Sequence, residues 1–182
     1  DSEVEGPETV QLTLTADAAY QIGSPSSDTV TIADNDTSGP TTLFSDGFES
    51  GNFTTGGWSA SSDASVGSQA AYTGSYGAKL KKTASITKAL STAGYTDIHV
   101  KCAWETVAFD SSEWLYCEWS DNGGQNWYEA GKTQAGTWAT PDFTLPAGAA
   151  DNADFQVRFR TDADKSNEYG CVDDVEITGT PE

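Results

Sequence analysis

Trp114, Tyr116 and Glu118 occupy alternate positions of the run Trp114-Leu-Tyr-Cys-Glu-Trp119. In an extended chain they face one way, while Leu115, Cys117 and Trp119 face the other. The second set is the apolar face a half-buried strand needs. The first set shows two aromatic rings and a carboxylate to the outside. Rings placed in this way form a flat platform against which the axial C–H groups of sugar rings can stack, while charged side chains pair with hydroxyls. A second chemistry is suggested by Asp173-Asp174 near the C-terminus, where two carboxylates sit side by side in a strand. Adjacent carboxylates raise each other's ionisation cost unless a cation lies between them.

These groups must be held by strands. Strand formers and clusters of Gly, Ser, Thr, Asn and Asp dominate the chain of 182 residues, and no long stretch repeats at the helical period. An all-β fold of many short strands is expected. The alternation and turn signals predict strands at 43–46, 76–82, 85–90, 97–106, 113–120, 126–130, 153–161 and 169–178, with a further one near 140–145. Asp121-Asn-Gly-Gly124 supplies residues that tolerate positive φ, as a tight turn between 113–120 and 126–130 requires. That many strands in 43–180 predict a two-sheet antiparallel β-sandwich, a jelly roll.

The short connection between 97–106 and 113–120 predicts an antiparallel pair. A symmetric hairpin sets Cys102 opposite Cys117, Val100 opposite Trp119 and Trp104 opposite Leu115, all apolar members of their alternations. The reverse face of the pair then carries His99, Lys101 and Glu105 beside Trp114, Tyr116 and Glu118. At Cys102–Cys117 a bridge and a buried thiol pair both fit. Trp58, Trp104, Trp119 and Trp127 are assigned to the core. A glycosidase needs two carboxylates across a cleft, and in this register Glu105 and Glu118 are the pair that meets the condition.

The formal charge is −19, from 28 acidic and 9 basic residues. Such a chain repels phosphate backbones and anionic lipid surfaces, which argues against nucleic-acid partners and against membrane insertion. The charge also suits Ca²⁺, which takes oxygen ligands. Three cysteines without CxxC spacing make neither a disulfide framework nor a thiolate metal site. The only histidine, His99, has no nucleophile motif near it, and no HExxH, P-loop or dinucleotide fingerprint occurs. This fragment is therefore read as non-catalytic.

Residues 1–36 differ in composition, with eight acidic residues and no Lys or Arg. Their pattern is Asp1-Ser-Glu-Val-Glu-Gly-Pro-Glu8, then Leu12-Thr-Leu14, then Thr29-Val-Thr-Ile-Ala-Asp-Asn-Asp36. It resembles the C-terminal half of a Calx-β repeat, an Ig-like strand pair. The resemblance implies Ca²⁺ held by Glu5, Asp34 and Asp36, with Asp1 beside them. A segment this short cannot bury enough surface to fold alone, so the chain is expected to be part of a longer polypeptide. Residues 37–42 read as a linker.

Three motifs mark 43–180: Phe44-Ser-Asp-Gly-Phe-Glu-Ser-Gly-Asn-Phe53, Ala71-Tyr-Thr-Gly-Ser-Tyr-Gly-Ala-Lys79 and Tyr169-Gly-Cys-Val-Asp-Asp-Val-Glu-Ile177. This part resembles the jelly-roll carbohydrate-binding and MAM-like accessory modules of secreted bacterial proteins. In that class an acidic N-terminal loop, a Gly-Ser loop and a C-terminal Asp-Asp strand converge on a structural Ca²⁺. The resemblance implies Glu49 and Asp174 as leading ligands, then Asp46 and Asp173, with carbonyls near Gly51 and Gly74. First and last strands of a sandwich lie side by side, so such distant residues can meet. With the sheets arranged as in that class, Arg158, Arg160, Lys101, His99 and Glu118 accompany the Trp114–Tyr116 platform.

The function expected from this reading is a secreted or cell-surface carbohydrate-binding module of a polysaccharide-active bacterial enzyme. An acidic or sulfated polymer is among the ligands that its clustered cations could take. A calcium-rigidified structural or adhesion module and an accessory domain of a secreted protease are the alternatives.

Overall fold

The apolar alternations read from the sequence all form strands, and the antiparallel sheets they build are those of a β-sandwich. The computed structural model describes residues 6–33 and 39–182. Asp1, Glu5, Asp34 and Asp36, the expected ligands of the first segment, lie outside the described residues. The chain divides into two compact units, Asp1–Gly39 and Pro40–Glu182.

In the first unit β1 (Glu8–Thr13) and β2 (Ser27–Ile32) pair antiparallel, with Val10 opposite Val30. Their apolar residues Val10, Leu12 and Val30 share a face and are 45%, 70% and 58% exposed. A two-stranded ribbon of this kind is marginal by itself.

The second unit contains β3 (Thr41–Asp46), β4 (Ser59–Ala60), β5 (Ala64–Gly67), β6 (Gly77–Lys81), β7 (Ser85–Ala89) and β8 (Tyr95–Val107). It continues with β9 (Leu115–Ser120), β10 (Tyr128–Thr133), β11 (Asp142–Thr144), β12 (Gln156–Thr161) and β13 (Tyr169–Pro181). One sheet runs β10-β9-β12-β7-β4 and the other β11-β8-β13-β6-β5, with β3 also on β13. Thr41 and Thr42, read as linker, open β3. The short strands β4 and β5 were not anticipated, because Ser59–Ala60 and Ala64–Gly67 carry too few apolar residues to show a period.

Here the sequence-based register needs correction. β8 pairs with β11 and β13, whereas β9 pairs with β10 and β12, so the predicted hairpin does not exist. The connection between them crosses from one sheet to the other. Val100, Cys102 and Trp104 do point into the core, as do Leu115, Cys117 and Trp119, but they come from facing sheets. Alternation specifies which face of a strand is buried; packing across a core satisfies it as well as pairing within a sheet. All three cysteines are buried free thiols, and burial pushes each thiol pKa up.

β13 is the organising strand. Along one edge it pairs with β6 over Tyr169–Val172 and then with β3 over Val175–Gly179. Asp174 sits at the change of partner in an irregularity of the ladder, at φ 44°. First and last strands of the unit therefore lie side by side, and the loops leaving β3 and entering β6 meet at Asp173-Asp174.

Candidate functional site

On the outer face of the β10-β9-β12-β7-β4 sheet, Glu118 is opposite Arg158, and Tyr116 is opposite both Arg160 and Lys132. Glu118 is only 7% exposed and receives both guanidinium groups. Arg158 donates to its Oε2 from Nε at 2.8 Å and Nη2 at 2.5 Å, and Arg160 donates from Nε at 3.0 Å to each oxygen. Reaching diagonally to Glu118 draws Arg160 across its cross-strand neighbour, and its guanidinium carbon lies 3.8 Å from the Tyr116 ring centroid. Arg158 lies likewise 3.9 Å from the Trp127 centroid. Lys132 stands 5.1 Å from the Trp114 ring and 5.7 Å from that of Tyr116. The face is a ladder, Trp127–Arg158–Glu118–Arg160–Tyr116, continued by Lys132 to Trp114. Pinned cations over rings are attractive in their own right, and each guanidinium still has donors beyond those Glu118 accepts.

Asp162 orients the aromatic end. Its carboxylate accepts the Trp114 backbone N–H at 2.6 Å and the Tyr116 hydroxyl at 2.9 Å. Burial, helped by this bond, pushes the Tyr116 hydroxyl pKa up, so it remains a donor at neutral pH. At the other end Ser120 Oγ accepts the Asn122 and Gly124 N–H groups, and Asn122 Oδ1 accepts that of Asn126. Gly124 has φ 86°, and a Cβ there would stand 3.2 Å from the Trp127 ring. The turn thus delivers Trp127 against Arg158.

Of the residues expected at this platform, Trp114, Tyr116, Glu118, Arg158 and Arg160 are brought together. His99 and Lys101 are not: they belong to β8, on the outer face of the other sheet, beside Asp142. Glu105 also lies on that sheet, opposite Cys171, so it cannot form a carboxylate pair with Glu118. Trp127, assigned to the core, is half-buried on the platform face instead. Lys132 and Asp162 were missed. Lys132 alternates with Ala130 across an irregularity between Glu129 and Gly131, which shifts its phase, and Asp162 follows its strand with no sequence signal.

At the end of the sandwich, the expected calcium ligands converge from three segments. Glu49 accepts the Ser75 N–H with both oxygens and the Tyr76 N–H with Oε1. Gly74 lies so close that a Cβ would be 2.5 Å from Glu49 Oε1, and Gly51 turns at φ 72°. Asp46 accepts the Phe48 N–H and the Trp58 indole N–H, at 2.8 and 2.9 Å. Asp173 is fully buried and takes N–H groups of Tyr72, Thr73 and Asp174; burial raises its pKa. Among the described residues, Asp174 accepts only the Thr73 hydroxyl. Asp46, Glu49, Asp174 and Glu176 line one open depression that has no basic side chain in its wall. Asp46, Glu49 and Asp173 are thus each engaged by N–H groups, whereas Asp174 meets a hydroxyl, and among the described residues no three of these carboxylates bring their oxygens within 4.8 Å of one another.

Among the described residues, a tighter acidic group is Asp110, Glu113 and Glu168, with oxygens within 4.8 Å of one another. The Lys165 ammonium already occupies it, 2.5 Å from Asp110 and 2.8 Å from Glu168. This group ties the 108–114 and 162–168 loops together.

No family model and no curated protein matches the chain. Solved structures do. The CBM22-1 xylan-binding domain from Paenibacillus barcinonensis superposes with a TM-score of 0.60 at 14% identity, over 80% of this chain and 98% of that one. TmCBM61, solved with beta-1,4-galactotriose, gives 0.54 at 16%, over 72% and 92%. The fold is that of the β-sandwich carbohydrate-binding modules. The K1 cleaved adhesin domain of Lys-gingipain from Porphyromonas gingivalis has it too, at 0.54 and 21%, over 75% and 97%.

Proposed function

We propose that residues 40–182 bind a polysaccharide on the outer face of the β10-β9-β12-β7-β4 sheet and do not cleave it. The observation that carries this reading is the Trp127–Arg158–Glu118–Arg160–Tyr116 ladder. It is a row of half-buried rings and oriented guanidinium donors on the outer face of that sheet. Trp114, half-buried with the Lys132 ammonium 5.1 Å from its ring, is the ring proposed to stack on a pyranose. Arg158, Arg160 and Lys132 donate to hydroxyls, and they favour polymers bearing carboxylate or sulfate groups over neutral ones. The two neighbours described as xylan-binding and galactotriose-bound share the fold and support a saccharide as the ligand class.

In this reading the module belongs to a longer secreted or cell-surface bacterial polypeptide, and holds an enzyme near its polymer by raising local concentration. Calcium bound by Glu49 and Asp174 would cross-link the first and last strands of the unit and stiffen it. A second reading, a rigid adhesion or structural module, is favoured by the acidic depression at that strand junction and by the adhesin domain that shares the fold.

Affinity electrophoresis against xylan, galactan, polygalacturonate and a sulfated polysaccharide tests the proposal, with Trp114→Ala and Arg160→Ala alongside the parent. Retardation by at least one polymer, weakened in both variants, is expected. No retardation on the whole panel, or variants that migrate like the parent, would sink it in favour of the structural module.

A further inference from the structure

The opposite side of the sandwich carries a second cleft with a different charge. Asp142, Lys101 and Glu176 form one row across β11, β8 and β13, all on the outer face. With Tyr72, Thr140, Pro141 and Asp174 they line a cleft of about 400 Å³, a size that small ligands use. Lys101 Nζ is held loosely, 3.9 Å from Asp142 and 3.8 Å from Glu176, with 44% of its side chain exposed. Its donors are free to turn toward a ligand.

Tyr72 supplies the aromatic wall. It is 45% exposed, yet it is fixed from two sides. Its backbone N–H donates to the buried Asp173 at 2.8 Å, and its ring packs on Trp138 with centroids 5.1 Å apart. Trp138 is itself anchored, since Ala139 exchanges backbone hydrogen bonds with Trp104 at 2.9 and 3.0 Å. An exposed ring that is propped, rather than free, loses little entropy when a ligand stacks on it.

We propose that this cleft is a second saccharide site, with Tyr72 stacking on a sugar ring and Lys101, Asp142 and Glu176 pairing with its hydroxyls. Asp142 and Glu176 outnumber the one ammonium without counting Asp174, so the row is net negative and the ligand is an uncharged sugar; uronates and sulfates are disfavoured. The two sites lie on the outer faces of different sheets and differ in sign. One module could therefore hold two polymer chains, a neutral one here and an anionic one on the arginine face. The inference stands on residues separate from the platform and survives if that platform binds nothing.

Backbone amide NMR of the complete chain, titrated with neutral xylo- and galacto-oligosaccharides and with oligogalacturonate, separates the two sites. Shifts around Tyr72, Trp138 and Lys101 with a neutral sugar are expected. They should persist in Trp114→Ala and weaken about tenfold or more in both Tyr72→Ala and Lys101→Ala. Both are surface substitutions, and an unchanged amide spectrum elsewhere verifies folding. The proposal is overturned if no neutral sugar shifts this region, if oligogalacturonate binds there more tightly, or if the shifts vanish in Trp114→Ala. Movement of the platform amides alone supports the first site and rejects the second.

Discussion

Arg160 lies over Tyr116, its guanidinium carbon 3.8 Å from the ring centroid, and Glu118 on the same strand as Tyr116 holds it there. One face of a ring expected to be open to sugar is thus already taken by a cation. The binding face is better described as a charged ladder with aromatic rungs than as a bare aromatic plane, and its first consequence concerns Glu118. In Glu118→Gln both guanidiniums lose their only shared carboxylate. We expect a loss of about 1–3 kcal/mol, read from the urea midpoint, together with weaker polysaccharide retardation. A variant as stable as the parent with unchanged retardation would show that the ladder is ornamental.

Tyr116→Phe removes the hydroxyl that Asp162 receives while keeping the ring beneath Arg160. The expected cost is about 0.5–1.5 kcal/mol, with saccharide binding retained, because stacking and guanidinium contacts survive. Loss of binding in this variant, at unchanged fold, would mean that the hydroxyl itself touches the ligand.

The thiols offer a test of burial. Cys102, Cys117 and Cys171 are 3%, 0% and 0% exposed, and burial pushes their pKa values up, that of Cys171 to about 12. A thiol reagent at pH 8 should label almost nothing in the native protein and all three cysteines in denaturant. Rapid labelling of the native state, or fewer than three thiols after unfolding without reductant, contradicts this arrangement.

Lys165 holds the Glu168 carboxyl below its usual range. A depressed folded-state pKa means that the unfolded chain binds the proton more readily. The stabilisation is then complete above the unfolded value of about 4.3 and is lost as pH falls through the folded one. Melting temperatures of the parent and Glu168→Gln should differ most at neutral pH and converge only as the pH falls through the depressed folded-state value. A constant gap across that range would remove the ion pair as the cause.

If Glu49 and Asp174 hold calcium, EDTA should lower the melting temperature of the parent and added Ca²⁺ should restore it. Asp174→Ala should be blind to both. A parent that ignores the chelator ends the calcium proposal and leaves Glu49 as a clamp on the Ser75 and Tyr76 N–H groups.

The alternation of apolar residues in this sequence was enough to place the strands 76–82, 85–90, 97–106, 113–120 and 153–161 and to say which of their faces is buried. It was enough because side-chain period and burial are local properties, written in neighbouring residues. The β-sandwich and the adjacency of its first and last strands followed from the same information. What the sequence could not supply was the partner of each strand. Val100, Cys102 and Trp104 would bury equally well beside Leu115, Cys117 and Trp119 or across a core from them, and only tertiary packing chose the second. That choice moved His99, Lys101 and Glu105 to the far side of the molecule, dissolved the one conceivable carboxylate pair and opened a second cleft beneath Tyr72. It also brought Trp127 out of the core, because the route of a chain after a turn depends on what the turn packs against. Residue type told which groups could do chemistry; the sheet each strand joined decided which of them could do it together.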